Sequence, residues 1–203
     1  MAIPTKKISP EEMESKIARF ASLVSTKAKH AEKIGIPMEV FEIMTAKTTF
    51  NVMSPANLGG QLSPKPAVVG GDAGVFRLGI VSCPPKNGPA LHIHWKTHET
   101  FIALDGEWEI KWGDEGEHSV FLKPYDLIAV PPMVARQFIN LSDKEARLMV
   151  IIQGDPDEFD DVGRMPQTAK MIEEKYGTEM IEKLEANGWS FITDAKAPRP
   201  ESA

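Results

Sequence analysis

Two histidines separated by one residue, His92 and His94, stand five residues before a glutamate, Glu99, in the run GPALHIHWKTHETFIALDG from Gly88 to Gly106. Side chains on a strand alternate between faces, so both imidazoles leave one face while Ile93 leaves the other. Glu99 begins a second strand whose face continues through Phe101 and Ala103 until Asp105-Gly106 turns the chain. Two imidazoles and one carboxylate are the donor set that holds Fe(II) by one side and leaves positions open for substrate and oxygen; manganese, nickel or zinc would also suit it. His98, in the connection between His94 and Glu99, is a candidate substitute ligand, although alternation turns it away from Glu99. The competing reading is a pair of histidines packed or hydrogen-bonded in a barrel that binds no metal.

The spacing His92-x-His94-x4-Glu99-x6-Gly106 resembles the first sequence motif of the cupin superfamily. Gly88 stands four residues before His92, where that family usually has its glycine six before. A second motif is matched in outline by KPYDLIAVPPMVARQFIN, Lys123 to Asn140, with Asp126, Pro131 and Asn140 in place. Tyr125 and Met133 occupy positions where the family has glycine, and Arg136 replaces the histidine that usually supplies a fourth metal ligand. The resemblance covers residues 75 to 153. It implies a jelly-roll β-barrel, a divalent metal on His92, His94 and Glu99, a small-molecule substrate and a homodimer.

Arg136 is the residue whose placement matters most after the triad. Counting by twos, Val134, Arg136, Phe138 and Asn140 share a face, and the resemblance turns that face into the barrel. An unpaired charge there costs several kcal/mol or more, so the guanidinium needs a partner. Glu99 could hold it in a salt bridge that competes with metal. Alternatively, its fork of donors could receive a substrate carboxylate, phosphate or enolate, which makes it the candidate catalytic residue and the substrate an anion.

The elements that must position these residues read as mainly β with helices at both ends. Residues 9 to 34 predict an amphipathic helix: Ser9 and Glu12 form a capping box, Pro10 takes the first turn, and Met13, Ile17, Phe20, Val24 and Ala31 recur at helical spacing up to Gly35. A short helix follows Pro37. The Pro- and Gly-rich stretch from Thr45 to Asp72 reads as a loop or edge segment. Eight strands follow at short intervals between Val75 and Gln153, separated by Gly and Pro turns, which favours an antiparallel sandwich or barrel. The acidic run Asp155 to Asp161 reads as a solvated connection, and helices resume from Ala169 to Tyr176 and from Met180 to Leu184. The resulting division is a helical extension over 1–46, a barrel over 47–155 with its motifs at 88–106 and 123–140, and a second helical extension over 156–203. His118 is expected on the surface and His30 on the polar side of the first helix. Phe101, Trp108, Ile110, Phe138 and the strand Leu148, Val150, Ile152 are expected to line the interior.

The 203 residues, 42% hydrophobic and 26% charged, fit a single domain with additions, and one HxH argues against a two-cupin chain. A net charge of −6 disfavours nucleic acid and anionic membranes as partners. One cysteine, Cys83, and no run long enough for a signal peptide or membrane helix make the cytoplasm the expected compartment. Three functions stay open: a metal-dependent enzyme with oxygen-dependent cleavage of a small organic acid or diketone first, a metal-free isomerase or epimerase, and a non-catalytic ligand-binding module.

Overall fold

Alternation at the centre of the chain produces two facing sheets. The structure, a computed structural model, describes residues 6–55, 69–70, 76–158 and 160–193. The first sheet has the order β2-β1-β3-β10-β5-β8, from Val69–Gly70 (β2), Thr48–Ser54 (β1), Phe76–Cys83 (β3), Ala146–Gln153 (β10), His98–Ala103 (β5) and Leu127–Val130 (β8). The second has the order β12-β11-β4-β9-β6-β7, from Ser190–Phe191 (β12), Val162–Arg164 (β11), His92–His94 (β4), Arg136–Asn140 (β9), Trp108–Trp112 (β6) and His118–Leu122 (β7). From β3 to β6 and from β7 to β11 each strand crosses to the other sheet, as in a jelly roll.

The inner faces bury a core of Phe101, Trp108, Ile110, Phe138 and Leu148, each at most 4% exposed. Phe138 meets Phe101 and Trp108 edge to face, with centroids 5.2 and 5.9 Å apart, the arrangement ring quadrupoles prefer. Burial of each such side chain contributes roughly 1.5–3 kcal/mol.

The helices form a second core. Lys27–Ile34 (α2), Met38–Met44 (α3), Pro166–Tyr176 (α4) and Thr178–Ala186 (α5) gather Val40, Phe41, Ile172 and Leu184, all 0% exposed, around Trp189. Helices that precede and follow the strands therefore pack on one another. Gly177, at φ 83°, separates α4 from α5, the break its position predicts.

The single helix expected over 9–34 is not formed. The capping box closes only Pro10–Glu14 (α1), a 3-10 turn spans Phe20–Ser22, and α2 starts afresh at Lys27. Met13, Ile17, Phe20 and Val24 are 39–78% exposed, so no tertiary burial supports continuous helix through Ser15, Ser22, Ser25 and Thr26. Phe20 instead meets Phe50 of β1 edge to face, centroids 5.3 Å apart, with the Arg147 guanidinium over its ring. His30, expected on a polar face, stands edge-on to Phe41. The stretch from Thr45 contains strand β1, paired along β3, while its Pro- and Gly-rich run, 56–68, lies outside the described residues. β1 was hidden because its alternation, Thr-Thr-Phe-Asn-Val-Met-Ser, mixes polar and apolar residues on both faces. Among the described residues no helix is long and apolar enough to cross a membrane.

Candidate metal centre

His92 and His94 are carried by β4 of one sheet and Glu99 by β5 of the other, so the triad bridges the two sheets rather than lying on adjacent strands. All three are buried, at 7%, 2% and 5% exposure. One donor atom from each lies within 4.8 Å of the others. Glu99 Oε2 is 3.6 Å from His92 Nε2 and 3.5 Å from His94 Nε2.

The outer nitrogen of each ring fixes what the inner one can do. His92 Nδ1 donates to the carbonyl of Ala90 at 2.9 Å. His94 Nδ1 lies 2.9 Å from Asp161 Oδ1 and 2.9 Å from Thr97 Oγ1. Asp161 is itself held by the backbone N–H groups of Lys96 and Thr97, at 2.6 and 2.8 Å, and by the Thr97 hydroxyl at 2.9 Å. With both Nδ1 atoms donating, both Nε2 atoms present lone pairs to Glu99 Oε2, which has no hydrogen-bond partner among the described residues. Three acceptors then converge with no proton between them. A divalent cation resolves that conflict: donors at roughly 2.0–2.2 Å from one ion lie roughly 3.0–3.5 Å apart, close to the separations here. The donor set fits a metal, and Asp161 is placed where an outer carboxylate would orient a metal-binding histidine.

Without an ion, positive charge around the carboxylate is what keeps it ionised. Burial alone would push the Glu99 carboxyl up, but His94, His92 and Arg136 outweigh it and bring it down to about 2. Asp161 follows the same pattern: partial burial opposes ionisation, and the hydrogen bonds from His94, Lys96 and Thr97 hold it at about 2. Burial pushes His92 below its ordinary range, which keeps its ring neutral and available as a ligand.

Both carboxylates have folded-state values below their usual ones, so they add stability that is present above pH 4.5 and lost as the pH falls toward 2. Thermal unfolding of chelator-treated protein should show a falling midpoint across that window. Glu99→Gln should flatten the slope; an equally steep slope in that variant would place the acid-sensitive group elsewhere.

Arg136 projects inward as alternation requires, and is 0% exposed. In the sheet it lies beside His92, with which it is paired across β4 and β9. Its Nε is 3.7 Å from Glu99 Oε2 and one terminal nitrogen donates to the Pro131 carbonyl at 2.8 Å. The guanidinium lies against the carboxylate and is not among the residues that wall the adjoining cavity. Here it holds Glu99 in place. His98 does not join the triad. It is exposed at the start of β5 and lines a shallow depression with Thr100 and Gln153, because the strand's alternation turns it away from Glu99. His118 is on the surface.

The triad opens on a cavity of about 160 Å³. Phe138, Val150 and Ile152 wall it as expected, whereas Phe101, Trp108 and Ile110 are packed core. The far wall comes from β1, through Thr49, Phe50 and Asn51, and Arg77, Asp160 and Arg164 complete it. A cavity of roughly 150 Å³ accepts a single small ring, so the space suits a small organic molecule.

Several motif residues act on the backbone. A side chain at Gly88 would put its Cβ 1.7 Å from the Phe138 carbonyl oxygen, which accounts for glycine there. Asn140 donates to the carbonyls of Cys83 and Lys144, both at 2.8 Å. Tyr125 and Met133, at φ 77° and 65°, keep the left-handed conformation that glycine takes freely. Their N–H groups donate to the carbonyls of Ala103 and His94, which hold those turns closed.

Asp161, Thr97, Arg77 and Arg164 were not foreseen as site residues. Asp161 looked like one carboxylate in a solvated acidic run, but its side chain is 3% exposed. No periodic signal marks it: the three-residue run Val162-Gly163-Arg164 that follows adds β11 to β4 and carries Asp161 to His94. Asp161→Asn, which removes the charge that orients His94, should weaken divalent-metal affinity about 10–100-fold. Competition with a chromophoric chelator would measure this, and unchanged affinity would assign Asp161 to loop structure alone.

A family model described as cupin domain matches residues 79–152. Among solved structures, the chain is similar to the cupin domain of Schizosaccharomyces pombe Cnp3, at 18% identity over 41% of this chain and 59% of that one, with a TM-score of 0.38. It is also similar to a sugar phosphate isomerase from a cupin superfamily from Silicibacter pomeroyi, at 23% identity over 42% and 55% with a TM-score of 0.36. A cupin protein from Bacteroides fragilis gives 24% identity over 39% and 65% and a TM-score of 0.35. The chain therefore spans 55–65% of the length of these three. No curated protein matches it. The family match begins in β3 and ends in β10, so it encloses the triad, and it is residues 79–152 that are similar to a cupin domain.

Proposed function

We propose that the protein is a metal-dependent enzyme acting on a small organic acid or diketone, with oxygen-dependent cleavage as its reaction and Fe(II) as the preferred ion. The observation that carries this reading is the convergence of three acceptors, His92 Nε2, His94 Nε2 and Glu99 Oε2, on an apolar cavity. When bound, the ion would supply Lewis-acid polarisation and, as iron, access to oxygen chemistry.

The chain's own residues do the rest. Ala90 and Asp161 hold the two imidazoles in the tautomer that exposes Nε2. Arg136 keeps Glu99 ionised and directed inward. Phe138, Val150 and Ile152 exclude water, which strengthens every charge interaction inside.

Oxygen uptake by the Fe(II)-loaded protein, with a panel of small diketones and 2-oxo acids, tests this. The expected result is uptake with at least one substrate, abolished by chelation and by His94→Ala. The contact between Arg136 and Glu99 at 3.7 Å favours a second reading, a metal-free isomerase in which the guanidinium supplies the positive charge. Turnover that survives chelation would select it, and tight binding without product would leave a binding module.

A further inference from the structure

The sequence leaves Arg136 open between a salt bridge to Glu99 and an anion-binding role, and the arginines that line the cavity are Arg77 and Arg164. β11 pairs antiparallel with β4 so that Arg164 lies directly opposite His92 and Val162 opposite His94. Opposed residues share a face with Cβ atoms roughly 4.5–5.5 Å apart, so Arg164 flanks His92 on one side as Arg136 does on the other. Arg164 is 4% exposed and lines the cavity. Its guanidinium stacks on Trp189, 4.2 Å from the ring centroid, which fixes its plane.

Arg164 lines the cavity, as Arg136 does not, and has no ion-pair partner within 4.0 Å among the described residues. Arg136 has Glu99 and Arg77 has Asp160, at 3.7 and 3.4 Å. Asp161 is engaged by His94 and two backbone N–H groups. Arg164 Nε has no hydrogen-bond partner among the described residues, and Nη1 reaches only the Val162 carbonyl at 3.4 Å. Asp160 acts on Arg164 too, but its short contact is with Arg77. A buried guanidinium that lines a largely apolar cavity, with a donor left unpartnered, can receive an anion.

We propose that Arg164 is the anchor for the carboxylate of the cavity's ligand, a small organic monocarboxylate with an apolar body. A carboxylate would give Arg164 the close ion-pair partner it lacks, Phe138, Val150 and Ile152 take the apolar part, and the volume limits the ligand to about the size of benzoate. Bound in this way, the ligand would extend from Arg164 across His92. The assignment takes its location from the site described above and does not require that site to hold metal. It adds a substrate-binding residue from β11, outside the matched residues 79–152.

The test is calorimetric binding of benzoate against benzamide, and 3-methylbutanoate against its amide, to chelator-treated protein. At least one acid should bind about ten-fold or more tightly than its amide. Arg164→Gln should abolish that preference, and Arg164→Lys, which keeps the charge but loses the fork, should keep part of it. Should the glutamine variant not fold, the Nε–H resonance of Arg164 in the wild type decides, by shifting with the acid and not with the amide. Equal binding of acid and amide, or of neither, would overturn the assignment, as would a preference that persists in Arg164→Gln. A preference that appears only after metal loading would place the carboxylate on the ion and overturn it equally. A protein that takes up no metal yet prefers the acid would remove the enzyme reading and leave this one standing.

Discussion

His94→Ala is expected to reduce the divalent metal in purified protein from about one ion per chain to about a tenth of that or less. Elemental analysis by plasma mass spectrometry, beside wild type prepared identically and loaded anaerobically with Fe(II), measures it. His94 would be the decisive ligand because its outer nitrogen is the one anchored by a carboxylate, Asp161, which is itself held by three donors. Alanine removes one of three donors and leaves Asp161 without the ring it orients. His98→Ala should change nothing, since that ring lies on the opposite side of β5. Equal metal in wild type and His94→Ala would mean that the ion is held elsewhere.

The triad was legible because it is local in sequence: a period-two pair and one carboxylate fall within eight residues, and strand alternation alone aims them. Arg136 was legible in direction for the same reason. Its partner was left open between Glu99 and an incoming anion, and only the register of β9 against β4 places the guanidinium against Glu99. Asp161 and Arg164 are long-range additions. They enter the site through β11, a three-residue strand too short to carry a periodic signal, which reaches β4 across 67 residues in the case of His94 and Asp161. The broken first helix fails for a related reason. Apolar spacing over 9–34 describes a face that could be buried, but the residues that would have covered it belong to the helices around Ile172 and Leu184, which chose α2 and α3 instead. Compositional readings of this kind see which residues are apolar and not which partner arrives first.

Arg136→Met should destabilise the metal-free protein by about 3–5 kcal/mol, the usual result of removing one member of a buried ion pair. Glu99 would remain, 5% exposed, with its nearest permanent cation gone. Denaturant unfolding followed by fluorescence would measure the loss. The same variant loaded with metal should recover most of it, because an ion between His92, His94 and Glu99 places two positive charges where the guanidinium supplied one. This dependence separates the two meanings of Arg136. If the residue were the positive charge of a metal-free site, metal would not rescue Arg136→Met. Arg136→His supplies the complementary result: the new imidazole would stand beside His92 in the same row of the sheet and offer a fourth nitrogen, so metal affinity should rise about ten-fold. Rescue of one variant and tighter binding in the other would together mean that Arg136 and the ion serve the same carboxylate. The arginine would then be what keeps Glu99 charged and aimed while the site waits for its metal.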